Sequence, residues 1–516
     1  MRASDLLMFA GLAAFALSGW RVTASWGPRV RLVSVLVACA SGIVSVVVLH
    51  WQAIPALILA FVFLLTLGIS GIRLPSSRVG RRWTVGTVLV AAIACAIPYY
   101  LYPLFHMPQP SGPYPVGVRD FDVTRPAVTA AGIEAEARHL LVRVWYPAAT
   151  TVGFTPRRYF TRDEAMLSLP NFRILHLYDV HTHGYVGAPV RADGPRFPVV
   201  IFNHGYLLYP GANTALMEEL ASHGYVVFSL SHPPDSATYR TLGGTLVEQH
   251  QWVPSDELIA TLNQLVGAPT YEGRYRGYEP FTRVIAHDRL TYSLGNWRGD
   301  DLFLADALSS GSPPAAVADI AGRVDMKTLA YGGMSFGGGV AASTCQMDLR
   351  CKGVFSLDGV TWDVSMFDSD LRVPFLLLQS DWLTNPLFPD EPRDPGVNPQ
   401  DLAFERWEHA GERPDIYRYR VLESAHMGMT DLTLTARAPV RASRYGAIDG
   451  QRTVAALNAF TLAFLNASLR GDQAGFPAPV EANFPDVVRR KAIGVGAWWR
   501  QTGSPNSSAG RILDRR

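Results

Sequence analysis

Four nearly charge-free runs lie within the first 106 residues of this 516-residue chain: Leu6–Trp20, Leu32–Trp51, Ala53–Ile72 and Trp83–Phe105. The last three hold about 20 residues each, the helical length that crosses a hydrocarbon core of ~30 Å. The first run is shorter and follows Arg2, as in a signal peptide, but no convincing small-residue cleavage site separates it from the other three. The sequence therefore predicts a transmembrane region of about four helices over residues 1–106.

Basic residues in the short connections predict the orientation of these helices, because Lys and Arg are retained on the cytoplasmic side. The second connection, residues 50–52, has none, whereas the first and third are flanked by Arg21, Arg29 and Arg31 and by Arg73, Arg78, Arg81 and Arg82. With four spans, the first and third connections face the cytoplasm. The prediction is a multi-pass protein of the cell membrane whose remainder, after Phe105, is extracytoplasmic. If the first run does not span the membrane, the chain after Phe105 faces the cytoplasm instead.

The overall composition excludes several other classes of protein. Charged residues make up only 17% of the chain, against roughly 25% in soluble domains, and the apolar runs account for much of the difference. The net charge is +2, with 46 Lys and Arg against 44 Asp and Glu, so no nucleic-acid partner is expected. Four cysteines in 516 residues exclude a disulfide scaffold.

Residues 107–516 have the pattern of one large α/β domain that begins in a Pro/Gly-rich stretch. Short β-rich runs predict strands at Leu140–Tyr146, Val199–Phe202, Val226–Leu230, Thr328–Tyr331, Val354–Leu357, Phe375–Leu378 and Tyr417–Leu422. They alternate with helical patterns at Asn213–His223, Asp300–Leu308, Val340–Cys345 and Arg452–Leu469. This alternation predicts a mostly parallel sheet covered on both faces. The long interval of about 233–327 predicts a lid or insert, and residues of about 504–516 are expected to be disordered.

A G-x-S-x-G motif at residues 333–337 is the strongest indication of chemistry. It follows the strand-like TLAY and precedes the small-residue helical pattern GGVAAS. A sharp turn from strand to helix requires glycine on both sides of the serine and lifts its hydroxyl above the sheet edge. Ser335 is therefore predicted to be a nucleophile.

A serine nucleophile needs a histidine to accept its proton and a carboxylate to orient that histidine. Only His409 and His426 follow Ser335. His426 comes directly after the last predicted strand, whereas His409 lies in a charged, helical-looking run, so His426 is predicted to be the base. Asp358 and Asp381 both follow strands, and this reasoning alone does not decide which of them is the acid.

The tetrahedral intermediate of acyl transfer needs two amide donors. One is expected at Phe336, the residue after the nucleophile. The other is expected in the loop after the strand at 199–202, where Tyr206 can donate its backbone N–H. The neighbouring His204 is expected to brace this loop.

These motifs together resemble a known family, the plasma-type platelet-activating-factor acetylhydrolases and their bacterial relatives in the α/β-hydrolase superfamily. The likeness extends over roughly residues 110–470, and the residues that carry it are Gly112–Gly117, Val144–Pro147, Asn203–Gly205, Leu220–Tyr225, Gly333–Gly338, Leu357–Asp358 and Ala425–His426. It implies that Asp358 is the triad acid, with Asp381 in reserve, and that Tyr206 and Phe336 are the oxyanion donors. The chain departs from the family at Met334, where histidine is common, and in its apolar N-terminal runs.

The resemblance implies an α/β-hydrolase that cleaves short or phospholipid-type acyl esters through an acyl-enzyme, with a lipid or small ester as substrate. A general or polyester-cleaving esterase and a serine peptidase on the same fold are alternatives, and a non-catalytic membrane sensor is a weaker one. No cofactor or metal is expected, because no Cys/His cluster has metal-ligand spacing. Cys345 and Cys351 lie six residues apart and are predicted either to form a disulfide or to remain free thiols.

Overall fold

The computed structural model divides the chain into two compact units. One consists of Met1–His106 with Arg158–Val180 and Thr435–Val440; the other consists of Met107–Arg157, His181–Leu434 and Arg441–Arg516. The predicted disordered tail at 504–516 lies outside the described residues. Those residues are 2–18, 27–70, 78–127, 137–167, 172–267, 277, 280–359, 362–367, 371–386 and 413–490.

The described part of the first unit is mainly helical. Its helices are α1 (Ala3–Ser18), α2 (Gly27–Val47), α3 (Ile54–Ser70), α4 (Arg78–Ala94), α5 (Ile97–Leu101) and α6 (Arg162–Leu167). Small and apolar side chains such as Met8, Leu12, Ala38 and Ala56 form its core. In the described part of the chain, two segments, Pro28–Val47 and Arg82–Leu101, are long and apolar enough to cross a membrane. Ala3–Ser18 and Trp51–Leu67 are apolar but shorter.

The second unit is built on a large, mostly parallel sheet, as predicted. Its strands are β1 (Val116–Arg125), β2 (Arg138–Pro147), β3 (Pro156–Arg158), β4 (His181–Val186), β5 (Phe197–Asn203), β6 (Val226–Leu230), β9 (Val324–Met334), β10 (Cys351–Leu357), β11 (Phe375–Gln379), β12 (Ile416–Val421) and β13 (Val487–Arg489), with a separate hairpin of β7 (Tyr239–Arg240) and β8 (Leu246–Val247). The described strands of the sheet follow the order β13-β12-β11-β10-β9-β5-β6-β2-β1-β4-β3. Within this order, the six strands β12-β11-β10-β9-β5-β6 are all parallel to their neighbours in the run.

Helices cover both faces of this sheet. α9 (Arg289–Ser309), α10 (Ala318–Ala321) and α11 (Phe336–Met347) contribute to the hydrophobic cluster on one face, and α7 (Thr214–Ser222), α13 (Gly450–Arg470) and α14 (Ala478–Asn483) to the cluster on the other. Two further helices of the chain are α8 (Asp256–Gly267) and α12 (Val440–Arg444). Alternate residues of β5 point to opposite faces: Val199 and Ile201 join one hydrophobic cluster, and Val200 and Phe202 join the other. Burial on both faces explains why the central strands are continuous apolar runs.

The parallel arrangement determines where polar side chains can gather. The carboxyl ends of parallel strands lie at one edge of a sheet, and ligands bind there in open α/β folds. At this edge β5, β9, β10, β11 and β12 lead into the loops that begin at His204, Ser335, Asp358, Ser380 and Leu422. All of the sequence-predicted site residues lie in or next to these loops.

Candidate active site

Ser335 lies at the sharp turn between β9 and α11, with φ 55° and ψ −125°. The glycines on both sides allow this turn. A Cβ at Gly333 would overlap with the backbone of Gly337, and a Cβ at Gly337 would overlap with the carbonyl oxygen of Asn203. The turn is fixed by a 2.8 Å hydrogen bond from the Ser335 N–H to the Leu357 carbonyl oxygen. The amino end of α11 faces the site, and its dipole favours negative charge there.

His426 joins Ser335 to Asp358. Its Nε2 lies 2.8 Å from Ser335 Oγ, and its Nδ1 lies 2.6 Å from Asp358 Oδ2. Because a carboxylate only accepts, this network has Nδ1–H donating to Asp358 and leaves Nε2 to accept the hydroxyl proton. The three residues form one hydrogen-bonded chain with the geometry of a nucleophile, a base and an orienting acid.

Asp358 is buried and held by a second residue that the sequence analysis missed. Ser380 donates its backbone N–H to Asp358 Oδ1 at 2.9 Å and its hydroxyl to Oδ2 at 2.7 Å. Burial alone would raise the pKa of Asp358, but the hydrogen bonds from His426 and Ser380 outweigh it, and the net pKa lies below the ordinary value. The carboxylate therefore stays ionised at neutral pH. The signal for Ser380 was its position directly after β11, the strand next to β10.

Asp381 is also buried but does not contact His426 in the structure. Its Oδ2 accepts a 2.8 Å hydrogen bond from the Glu423 N–H, and its own N–H donates to the Ser424 carbonyl oxygen at 3.0 Å. Asp381 thus holds the loop between β12 and His426. It supports the histidine loop from outside the hydrogen-bonded chain.

The loop after β5 lies against Ser335. A Cβ at Gly205 would lie 3.4 Å from Ser335 Cβ, and the rings of Tyr206 and Phe336 are 5.6 Å apart in an edge-to-face arrangement. Tyr206 and Phe336, the two residues predicted to supply amide donors, are therefore neighbours beside Ser335. His204 is fully buried, and its Nδ1–H donates to the Gly205 carbonyl oxygen at 2.7 Å.

His204 is an internal brace of this loop, as its contacts and charge state indicate. Its Nε2 accepts from the Ser236 hydroxyl at 2.8 Å. Burial, with a smaller effect of the neighbouring His232, lowers the pKa of His204 to about 3, so the ring is neutral at physiological pH. Both nitrogens of this neutral ring are thus occupied by hydrogen bonds to Gly205 and Ser236.

Residues of the predicted insert pack over the side of the site that holds Tyr206 and Phe336. Leu258, Leu294 and Trp297 form a hydrophobic cluster with Phe336 and Val340 of α11. Trp297 lies 5.0 Å from the Phe336 ring. The interval that the sequence analysis interpreted as a lid therefore supplies apolar covering for the start of α11.

Backbone strain is concentrated in these loops. Among the described non-glycine residues, φ is positive at Leu207, Ser335, Asp358 and Glu423, and otherwise only at Leu49 in the helical unit. Ser335 and Asp358 belong to the hydrogen-bonded chain itself, Leu207 follows Tyr206, and Glu423 lies three residues before His426. Such conformations persist only where the surrounding structure enforces them, and they cluster at functional sites.

The described part of the chain contains no group of three or more His, Cys, Asp or Glu side chains placed to hold a metal ion. Cys345 at the end of α11 and Cys351 at the start of β10 form a disulfide. This bond connects the helix that follows Ser335 to the strand that leads to Asp358.

Comparisons with known proteins agree with this architecture. A family model described as platelet-activating factor acetylhydrolase, isoform II, matches residues 102–266. A platelet-activating factor acetylhydrolase of Cavia porcellus is 22% identical over 404 residues, covering 71% of this chain and 79% of that protein. One of Canis lupus familiaris is 25% identical over 181 residues, covering 31% of this chain and 38% of that protein.

A solved structure is similar over much of the chain. Ferulic acid esterase from Streptomyces cinnamoneus superimposes with a TM-score of 0.53 at 22% identity, covering 75% of this chain and all of that one. This likeness concerns the fold, which is consistent with an α/β-hydrolase. The resemblance to platelet-activating-factor acetylhydrolases predicted from the sequence motifs is confirmed by the family model and the relatives.

Proposed function

We propose that this protein is a membrane-anchored serine hydrolase that cleaves carboxylic esters through an acyl-enzyme. The observation that carries the proposal is the hydrogen-bonded chain from Ser335 through His426 to Asp358, with links of 2.8 and 2.6 Å. The names of its relatives, two acetylhydrolases and an esterase, support ester cleavage as the reaction.

In the proposed reaction, Ser335 Oγ attacks the ester carbonyl carbon while its proton passes to His426 Nε2. Asp358 stabilises the resulting imidazolium, and the backbone N–H groups of Tyr206 and Phe336 donate to the oxyanion. The intermediate then expels the alcohol, which takes the proton from His426 and leaves the acyl group on Ser335. Water, deprotonated by His426, attacks this acyl group, and the carboxylic acid leaves with the serine restored.

Replacement of Ser335 tests this assignment directly. We expect Ser335→Ala to abolish hydrolysis of p-nitrophenyl acetate and butyrate with an unchanged thermal unfolding curve, because the hydroxyl is the nucleophile. Turnover at the wild-type rate in this variant would refute the proposal. Hydrolysis by the wild type of peptides but not of esters would assign the same residues to a peptidase.

The proposed substrates are short-chain or phospholipid-type acyl esters, and this step depends on the relatives rather than on the triad. A series of p-nitrophenyl esters from acetate to decanoate, with a short-chain phospholipid and a polyester in the same panel, distinguishes the candidates. Preference for the phospholipid or for short acyl chains supports the proposal. Preference for the polyester would assign the chain to the alternative class of general esterases.

The proposed membrane anchor consists of four spans in residues 1–106. It is supported by apolar side chains exposed on the described helices of this unit, among them Leu36, Val44, Ile58, Leu65 and Ile93. Apolar side chains exposed along several helices need an apolar partner, and lipid is the one that helices of this length fit. α1 and α3, which are shorter than the other two segments, would span with locally thinner lipid.

Contacts within the helical unit support the proposed number and direction of the spans. Asp5 near the start of α1 accepts hydrogen bonds from Tyr99 in α5 at 2.7 Å and from His50, between α2 and α3, at 2.9 Å. The beginning of α1, the second connection and the end of the helical region therefore lie at the same end, as four antiparallel spans require.

The disulfide between Cys345 and Cys351 supports an oxidising compartment for the residues after the helices. Alkaline phosphatase fused after residue 110 should be active in the proposed topology, and an inactive fusion would reverse it.

A further inference from the structure

Asp235, in the loop after β6, is a buried carboxylate that joins helix α9 to the loop after β5. Its Oδ1 accepts from the Tyr206 hydroxyl at 3.1 Å and from Arg289 Nη2 at 3.0 Å. Its Oδ2 accepts from Trp297 Nε1 at 3.1 Å. Arg289 and Trp297 both belong to α9, so one carboxylate connects this helix to the residue that follows Gly205.

The backbone of Asp235 makes a second connection to the same loop. Its carbonyl oxygen accepts a 2.8 Å hydrogen bond from the N–H of Leu207. Leu207 has φ 63°, a conformation that a leucine adopts only when its surroundings enforce it. Asp235 therefore binds the Tyr206–Leu207 segment at two points, through its carboxylate to the side chain and through its carbonyl to the backbone.

The two proposed amide donors differ in how they are held. The N–H of Phe336 belongs to the first turn of α11, so the helix itself fixes its direction. The N–H of Tyr206 belongs to a loop, and its direction depends on what holds the ring and the next peptide. The ring stacks on Trp297, with centroids 6.4 Å apart. Burial, together with the charge of Asp235, raises the pKa of Tyr206 to about 12, so its hydroxyl remains a donor at neutral pH.

We propose that Asp235 is a positioning residue for ester hydrolysis, which holds Tyr206 and Leu207 so that the Tyr206 N–H points at the oxyanion. This inference rests on the proposed function. An oxyanion donor works only within about 2.7–3.1 Å of the developing charge, and loss of one such donor lowers kcat by roughly 10²–10³-fold. The hydrogen bonds of Asp235 go to Tyr206, Leu207, Arg289 and Trp297 rather than to the triad, so its effect is transmitted through Tyr206.

Four variants separate this role from a general contribution to folding. Asp235→Ala removes both carboxylate oxygens and with them all three hydrogen bonds that they accept. Asp235→Asn keeps one accepting oxygen, and Tyr206→Phe removes only the hydroxyl. Tyr239→Phe is the matched control, since its hydroxyl donates to the His139 carbonyl oxygen instead. Each variant is assayed with p-nitrophenyl acetate for kcat and KM, by thermal unfolding, and with an alkyl trifluoromethyl ketone, which forms a tetrahedral oxyanion adduct on the serine.

The expected result is a fall in kcat with little change in KM, because the donor acts in the transition state. We expect a loss of roughly 10²-fold for Asp235→Ala, a smaller one for Asp235→Asn, and about 3–10-fold for Tyr206→Phe, the value of one hydrogen bond. The inhibition constant for the ketone should rise by the same factor as kcat/KM falls. Adding Tyr206→Phe to Asp235→Ala should cost nothing further, because both changes remove the same contact.

Other outcomes overturn the inference. They are a wild-type kcat in folded Asp235→Ala or Asp235→Asn, an effect confined to KM, an unchanged inhibition constant for the ketone, or a loss in Tyr239→Phe equal to that in Tyr206→Phe. If the wild type has no Ser335-dependent hydrolysis, the proposed function fails and this inference fails with it. Ser335-dependent hydrolysis that is insensitive to Asp235 refutes the inference alone.

Discussion

Asp358→Asn changes one atom in the proposed triad, and the contacts of Asp358 predict its effect. The Ser380 N–H donates to Oδ1, so in the variant the amide oxygen is held at that position. The amide nitrogen then faces His426 Nδ1, which must accept instead of donate. The imidazole proton moves to Nε2, where it opposes the Ser335 hydroxyl. The reverse orientation would bring the amide N–H₂ against the Ser380 N–H and is disfavoured.

The loss of the correct tautomer removes the base while leaving the geometry intact. The equivalent change in the serine-protease triad, a worked case of this effect, lowers kcat by about 10⁴-fold, and we expect a loss of that order here. The fold should survive, since the substitution preserves the volume and the hydrogen bond from the Ser380 N–H, although the bond donated by the Ser380 hydroxyl is lost. The assay is kcat/KM for p-nitrophenyl acetate at pH 7.5, with thermal unfolding of the same samples.

Asp381→Asn is the matched control, because Asp381 is equally buried at the end of the next strand. Its side chain accepts a hydrogen bond from the Glu423 N–H, which an asparagine oxygen retains, and forms a 3.5 Å ion pair with Arg420, which asparagine weakens. We expect activity within about fivefold of wild type, a change worth at most one hydrogen bond. A greater loss in Asp381→Asn than in Asp358→Asn, or more than a tenth of the wild-type activity in Asp358→Asn, would refute the assignment of the acid.

Three further changes test other parts of the structure. Burial raises the pKa of Asp301 to about 8, so its stabilising effect is complete below the ordinary value of 3.8 and is lost as the pH rises towards 8. Asp301→Asn should therefore raise the Tm relative to wild type more at pH 8.5 than at pH 5, and an equal difference at both would contradict this. Gly337→Ala should abolish esterase activity and lower the unfolding free energy by about 3 kcal/mol, the cost of overpacking, in urea titrations; Gly475→Ala, with nothing within 4 Å of the added Cβ, should be neutral. Replacing Cys345 and Cys351 by serine should cost about 2 kcal/mol for so short a loop, measured by urea unfolding, and free thiols at both positions in the wild type by mass spectrometry would contradict the pairing.

The central strands, and the loops at their ends that hold Ser335 and His426, were predictable because they depend on local patterns. Strands buried on both faces are continuous apolar runs, and β6 matches the predicted Val226–Leu230. β1 was missed because charged residues interrupt it in the sequence VGVRDFDVTR. The short strands β3, β7, β8 and β13 have two or three residues each, too few for a periodic signal.

The choice of acid and the contacts of Asp235 were not predictable from local patterns. Asp358 and Asp381 both follow buried strands, and contacts made through the fold distinguish them: Asp358 bonds to His426, whereas Asp381 bonds to the Glu423 N–H. Asp235 lies in no motif, and the partners of its side chain are 29 to 62 residues away along the chain. Side chains that meet through the fold leave no spacing for a sequence pattern to detect.

The positive φ values at Leu207, Ser335, Asp358 and Glu423 make the proposed active site an energetic burden on its own domain. At 1–3 kcal/mol for each residue, they cost roughly 4–12 kcal/mol, comparable to the whole net stability of a typical domain, about 5–15 kcal/mol. Heat resistance and turnover are therefore in direct competition at four loops. Evolution of this chain towards hotter conditions would have to strengthen the sheet and helices around the site, because relaxing the loops themselves would release the geometry on which catalysis depends.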